Sequence, residues 1–307
     1  MLVGTYARAS IIRCGELLTI RGNCLVVKIG FVKLGCIGSS ILLDLLLDER
    51  AERQDIDVRV VSAGAKMAVA SAEEVAVKAS EFGSDFYVVT SPNASLPGPT
   101  KAREVLAATG KHVIVVSDGP TEKVSAELAK KGFGYIIVHA DSMIGARREF
   151  LDPVEMAIFN SDMIKVLSIT GVYNILYKEI DRIIESVKTN SPISPCAVVV
   201  EKETATSAAG LQNPYAKAKA MAAFEIARTV SRVTTEGCFK VQERDRYTII
   251  VASAHEMLRT ASKLAEEARE IEKSNDAVLR RPHYDDGTHL EKRNLMEKPV
   301  KQSAQSR

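Results

Sequence analysis

The sequence predicts an α/β protein: a Rossmann-like parallel-sheet domain followed by a mainly helical domain. Three observations carry that reading. Short runs rich in Val and Ile, apolar on both faces, alternate with helical stretches from residue 25 to about residue 140. Polar turns containing Gly, Ser, Asp or Asn close these runs, and after Gly145 the pattern changes to long helices. Runs apolar on both faces suit parallel strands covered on each side. Repeated βα units imply right-handed crossovers.

In chain order, the expected divisions are an extension over 1–24, the α/β domain over 25–152, the mainly helical domain over 153–280 and a polar tail over 281–307. Residues 1–24 do not read as a signal peptide, because Arg8, Arg13 and Glu16 interrupt their short apolar stretches. Regular patterning begins at Leu25, so the extension is expected to be loose or the product of a misassigned start. Strands are expected at 25–31, 57–63, 85–90, 112–117 and 135–140, with helices at 39–50, 72–82, 99–109 and 121–131. Ser71 with Glu74 reads as a capping box, and Pro99 and Thr121 suit the starts of the next two helices.

Beyond the last strand, Asp152-Pro153 with Glu155 reads as a cap followed by a first-turn proline. A long helix is expected from there to about Lys188, broken near Gly171. The run 196–201 reads as a short strand, and Asn213-Pro214 opens a second long helix whose alanines permit close helix packing. The run 247–253 is ambiguous between strand and helix. Residues from Ala254 to about Ala277 are helical, and the tail from Arg280 is expected to be loose.

Bulk properties exclude several functions. The chain of 307 residues carries 41 basic and 39 acidic side chains, so no overall charge draws it to a polyanion, and nucleic-acid binding is not expected. No apolar run approaches the roughly 20 residues that span a bilayer, and a cytoplasmic protein without membrane attachment is expected. The five cysteines form no C-x-x-C pair, which fits a reducing compartment. The five histidines are equally scattered, so no zinc site is evident from sequence.

In a doubly wound sheet, ligands bind beyond the carboxyl ends of the strands. Those ends carry Lys33 and Gly35; Ser62, Gly64 and Lys66; Thr90, Ser91 and Asn93; Ser117 and Asp118; and His139, Asp141 and Met143. Turn chemistry alone accounts for any one of them, whereas five together point to a cleft. The first turn, "KLGCIGSS", has G-x-x-G spacing, and the amides at a helix start favour an anion. Ordinary NAD is disfavoured, because the second strand ends in "VVSAGAKM" without an acid for the ribose, and Lys66 suits an anionic group. "DSMIGARREFLDP" (141–153) is an irregular connection in which Arg147 and Arg148 either clamp carboxylates or phosphates or form ion pairs between domains or subunits. No nucleophile elbow, Walker loop or triad is present.

Five stretches, "VVKIGFVKLGCIGSSILLDLLLDERAERQDIDVRVV", "TSPN", "DSMIGARREFLDP", "NPYAKAKAMAAFEIA" and "RRPHYDDGT", together resemble the coenzyme F420-dependent methylenetetrahydromethanopterin dehydrogenases of methanogenic and related archaea. The likeness runs from about Leu25 to about Thr288. The resemblance implies an oxidoreductase of one-carbon metabolism and methanogenesis from CO2, with tetrahydromethanopterin as the carbon carrier. It passes hydride reversibly between the methylene carbon and the deazaflavin ring, giving the methenyl cation and reduced coenzyme. It also implies a homo-oligomer, a hexamer arranged as a trimer of dimers, and neither metal nor flavin in the reaction. An NADP-linked reductase on the same fold and a non-enzymatic assembly protein are the competing readings.

Under that reading, Gly35, Ile37, Gly38, Ser39 and Lys66 are expected to meet the anionic part of a ligand, with Thr90, Ser91 and Asn93 near the rings. Asp118 and Asp141 are the candidates for stabilising the developing cation or handling a proton. Met143, Arg147, Arg148 and Phe150 are the candidates for the pterin side.

Overall fold

The computed structural model describes residues 20–21, 24–49, 51, 53–143 and 152–301. Its centre is a six-stranded sheet, with all neighbours parallel: β1 (Val27–Lys33), β2 (Ile56–Ser62), β3 (Phe86–Ser91), β4 (His112–Asp118), β5 (Gly134–Val138) and β6 (Ala197–Val200). The order across the sheet is β2-β1-β3-β4-β5-β6. The chain therefore winds outward from β1 in both directions, and the crevice at this switch point lies between the carboxyl ends of β1 and β3. Apolar residues alternate between two covered faces. Val27, Ile29 and Phe31 face one core with Val116 and Val138, while Val32, Tyr87, Val89 and Val115 face the other.

The second core is covered by α2 (Val69–Ser80), α3 (Pro97–Ala107) and α4 (Ser125–Lys130), the last entered through a 3-10 turn over Gly119–Val124. On the opposite face lie α1 (Gly38–Leu47), α5 (Pro153–Thr170) and α6 (Val172–Lys188). Asp152 caps α5 by accepting from the Glu155 amide at 2.8 Å. Gly171, at φ +108°, breaks α5 from α6 at the expected place. Its tight approach to the backbone of Ala205 and Ala209 leaves no room for a side chain.

A short helix, α7 (Lys202–Ala208), follows β6, and α8 (Pro214–Thr235) and α9 (Arg244–Ser274) then pack as a pair. Ala216, Ala220, Ala223 and Ala227 of α8, and Ala254, Ala261, Ala265 and Ala268 of α9, have no exposed surface. The alanines are packing residues, as the sequence indicated, and the small side chain is what allows the helices to approach. Residues 247–253 resolve to helix. Across the expected boundary at 152/153 there is one shared core: β6 pairs with β5, and Phe159, Ile180 and Ala261 belong to the same apolar cluster as Phe31.

Several local expectations are corrected. Ser71 does not cap α2, which begins two residues earlier, after Ala68, with no side-chain cap. Pro99 lies in the third position of α3, which starts at Pro97. Thr121 does not open a helix: its Oγ1 accepts from the Ala94 amide at 2.8 Å, and Asp118 takes the capping role. Nor is the segment after Arg280 loose up to residue 301. Bridges Arg280↔Lys292 and His283↔His289 fold it into a hairpin, and His283 is fully buried.

Candidate functional site

β4 and β5 run side by side with Asp118 paired to Val138, so the chain leaving β5 brings Asp141 next to Asp118. The Asp141 amide donates to Asp118 Oδ1 at 3.4 Å, and both side chains are buried. Asp118 Oδ1 also accepts from the Gly119 amide at 2.7 Å, and its Oδ2 accepts from Ser231 Oγ at 3.2 Å. Burial, then the Asp141 charge, pushes the Asp118 carboxyl up to about 7 against those hydrogen bonds. Burial pushes Asp141 up to about 6 despite its own donors. Two adjacent carboxyls out of water cannot readily both be charged.

Asp141 has a second task. Its Oδ1 accepts from the Gly38 amide at 2.5 Å, and its Oδ2 accepts from the Ser39 amide at 3.0 Å. It thus caps α1, whose own N-cap, Ile37, offers no side-chain acceptor. The helix-start amides expected to hold an external anion are already satisfied by the protein's carboxylate. Gly38 and Ser39 thus spend these amides on Asp141. The Ile37 side chain is buried in the core, which leaves only its backbone near the turn.

Gly35 sits in the switch-point crevice with φ +71°, the left-handed region, and a Cβ there would meet Pro92 Cδ at 2.8 Å and Met67 Sδ at 3.0 Å. Turns from three strands therefore converge on this point. Thr90 and Ser91 are buried at the end of β3, and Ser91 Oγ has no hydrogen-bond partner among the described residues. Asn93 is used locally, its Oδ1 accepting from the Ser95 amide at 3.0 Å. Lys66 is exposed on the turn between β2 and α2. β2 ends in Ser62, whose Oγ accepts from the Gly64 amide at 3.0 Å. Met143 is half-buried and packs against the core; Arg147, Arg148 and Phe150 lie outside the described residues.

Sequence reasoning missed the contribution of α8. Ser231 reaches Asp118, and Thr234 Oγ1 lies 3.4 Å from Ser142 Oγ. Both follow Ala227 and Val230 along the inward face of α8, so hydroxyls on an otherwise apolar stripe were the available signal. Two cavities, of about 640 and 420 Å³, lie away from the strand ends, against α8–α9 and against α5, α6 and the C-terminal hairpin. No described helix is long and apolar enough to cross a membrane.

A family model described as methylene-5,6,7,8-tetrahydromethanopterin dehydrogenase matches residues 27–300. An F420-dependent methylenetetrahydromethanopterin dehydrogenase from Archaeoglobus fulgidus is 54% identical over 275 residues, covering 90% of this chain and all of that one. The protein of the same description from Methanothermobacter marburgensis is 54% identical over the same span. A solved F420-dependent methylene-tetrahydromethanopterin dehydrogenase, in complex with methylene-tetrahydromethanopterin and coenzyme F420, matches with a TM-score of 0.85 at 48% identity. It covers 90% of this chain and 100% of that chain.

Proposed function

The chain belongs to the methylene-5,6,7,8-tetrahydromethanopterin dehydrogenase family, and from that premise we propose that the switch-point crevice and the adjoining Asp118–Asp141 pair form its site of hydride transfer. It is an F420-dependent oxidoreductase acting on methylene-tetrahydromethanopterin. Coenzyme F420, when bound, supplies the deazaflavin ring that exchanges the hydride. The residues present fit such a coenzyme. β2 ends without a ribose-reading acid, which suits a molecule lacking adenosine diphosphate, and Ser91 has a buried hydroxyl without a partner among the described residues at the end of β3. The NADP-linked alternative has no comparable support.

Hydride loss from a carbon between two nitrogens leaves a cation, so the chain needs no nucleophile. Its first task is to hold two rings face to face, which is worth about 7–11 kcal/mol of barrier. Its second is electrostatic. The observation that carries the proposal is the pair of neighbouring buried carboxyls, with the Asp141 amide 3.4 Å from Asp118 Oδ1; burial raises the pKa of both. With Asp141 fixed to the α1 amides, Asp118 is the group free to gain or lose a proton near neutrality. In the charged form it favours the developing cation. Ser231 orients it from α8.

The coenzyme is assigned to the turn carrying Gly35 with Lys66 at its rim and Thr90, Ser91 and Asn93 alongside. The pterin is assigned to the connection carrying Met143, Arg147, Arg148 and Phe150. The same proposal includes a cytoplasmic homohexamer built as a trimer of dimers, for which exposed Val154, Ile158, Phe239 and Ile249 offer apolar surface. Steady-state kinetics of Asp118→Asn test the central claim. The expected result is a kcat lowered by about 10²-fold with both KM values nearly unchanged. Full activity in that variant overturns the claim.

A further inference from the structure

The cavity of about 420 Å³ lies where the C-terminal hairpin meets α5, α6 and α9, and its size suits a small molecule. Four cations, Lys165, Arg269, Arg280 and Arg281, line it together with a single carboxylate, Glu272. α5 begins beside the connection assigned to the pterin and reaches the cavity at Lys165, roughly 18 Å along the helix at 1.5 Å per residue. The cavity is therefore separate from the hydride-transfer crevice. We propose that it is a second ligand site, for a small organic phosphate ester that carries hydroxyl or amino donors.

The inner wall supplies the polar selectivity. Tyr177 is 4% exposed and Glu272 2% exposed, yet Tyr177 Oη and Glu272 Oε2 have no hydrogen-bond partner among the described residues. Leaving such buried groups unpaired is costly, and a ligand with polar hydrogens satisfies both. Neither side chain is free to turn away. The Tyr177 ring stacks on His283 at 4.6 Å, and Glu272 Oε1 accepts from the Gln212 and Asn213 amides at 2.9 and 2.7 Å. Those amides lie at the positive end of α8, which offsets the Glu272 charge. A simple dicarboxylate would meet the arginines but bring no donor for Glu272 Oε2.

The cations supply the anion-binding part. Lys165 lies 3.4 Å from Glu266, and Arg281 Nε 3.1 Å from Glu291. Arg269 and Arg280 pair with no carboxylate among the described residues. Glu270, the acid next to Arg269, is taken by Lys273. Arg280 donates through Nη1 to the Val278 carbonyl at 3.1 Å and to the Arg293 carbonyl, which leaves its other nitrogens for a ligand. Guanidinium forks match phosphate oxygens, and a phosphate dianion balances these two charges. The site exists because the hairpin is seated: His283 Nδ1 lies 2.5 Å from Glu49 Oε2, and its Nε2 2.7 Å from Asp181 Oδ2. A ligand held by Arg269 and Arg280 ties that hairpin to α9.

The test titrates the full chain with ribose 5-phosphate by calorimetry at fixed ionic strength, with ribose as the uncharged control. The expected results are a single ester bound per chain with a Kd below about 1 mM, no heat from ribose, and an unfolding midpoint that climbs with ester concentration. Saturation with coenzyme F420 should leave the titration unchanged, which separates this site from the crevice. Arg269→Gln, which breaks no described bond, should weaken binding by more than about tenfold while the midpoint of the free chain stays in place. Tyr177→Phe should weaken it about 3–10-fold. No binding by the unaltered chain, equal binding by Arg269→Gln, or displacement by coenzyme F420 overturns the proposal.

Discussion

Asp141 reaches across 103 residues of sequence to accept a hydrogen bond from the Gly38 amide, so the turn that follows the fifth strand supplies the cap of the first helix. That contact makes one side chain both a structural cap and half of the carboxyl pair. The two roles can be separated by substitution. Asp141→Ala leaves the buried Gly38 and Ser39 amides unpaired and should cost about 1–3 kcal/mol. Asp141→Asn retains an acceptor oxygen and should cost less. Denaturant midpoints of the two variants check the order.

The pH dependence of stability follows from the raised carboxyl values. Asp118 and Asp141 sit at about 7 and about 6 when folded, above the usual value near 3.8. The folded state therefore binds more protons than the unfolded state between roughly pH 4 and 7. Their contribution is fully present below the unfolded value and is lost as pH rises through the folded values. Unfolding free energy should fall across that window, and Asp118→Asn should flatten the fall. An unchanged slope in the variant would count against the pair.

Ser231→Ala tests whether α8 takes part in the chemistry. Removing its donor should raise the Asp118 pKa further, because that hydrogen bond favours the charged form. The pH–rate profile should shift to higher pH, with little change in unfolding midpoint. Thr229→Ala, whose hydroxyl bonds within the helix to the Glu225 carbonyl at 3.0 Å, should leave the profile in place.

The two glycines of the first turn are closely packed. Gly38→Ala would place a methyl 2.6 Å from Leu167 Cδ1, and Gly35→Ala would combine a methyl 2.8 Å from Pro92 with a left-handed backbone. Each should cost about 1–3 kcal/mol. Gly35→Ala should also raise the KM for coenzyme F420, whereas Lys66→Ala should do so without altering the thermal midpoint. Unfolding curves and initial rates check both.

Removing the imidazole at 283 leaves Glu49 and Asp181 facing each other without their shared partner. His283→Ala should cost about 3–5 kcal/mol and loosen the hairpin, measured as faster proteolysis after residue 280. A cost below about 1 kcal/mol would mean that the cluster does not anchor it.

What could be read from the sequence was whatever short-range pattern governs. Strand runs such as "HVIVVS" and the Gly171 break appear in the structure at the expected places, because burial on both faces and a left-handed residue leave local signatures. The Asp118–Asp141 neighbourhood was also foreseeable, since adjacent parallel strands deliver their carboxyl ends to one edge. The α2 start was misread because Ser71 and Glu74 have the right spacing, yet Ala72, Val75, Ala76 and Ala79 set the buried face and draw the helix back to Val69. The Asp141 cap and the Asp181–His283 contact have no local trace. Each joins segments about a hundred residues apart, and only the fold brings them together.

The borrowed cap has a kinetic meaning as well. α1 follows β1 directly, yet its first turn cannot be satisfied until β5 has taken its place in the sheet. Closing that loop is costly in entropy before any contact repays it. The amino end of α1 and the carboxyl pair should therefore mature together, late in folding, as one cooperative unit. The amides of Gly38 and Ser39 should exchange with solvent deuterium only through openings that also release β5.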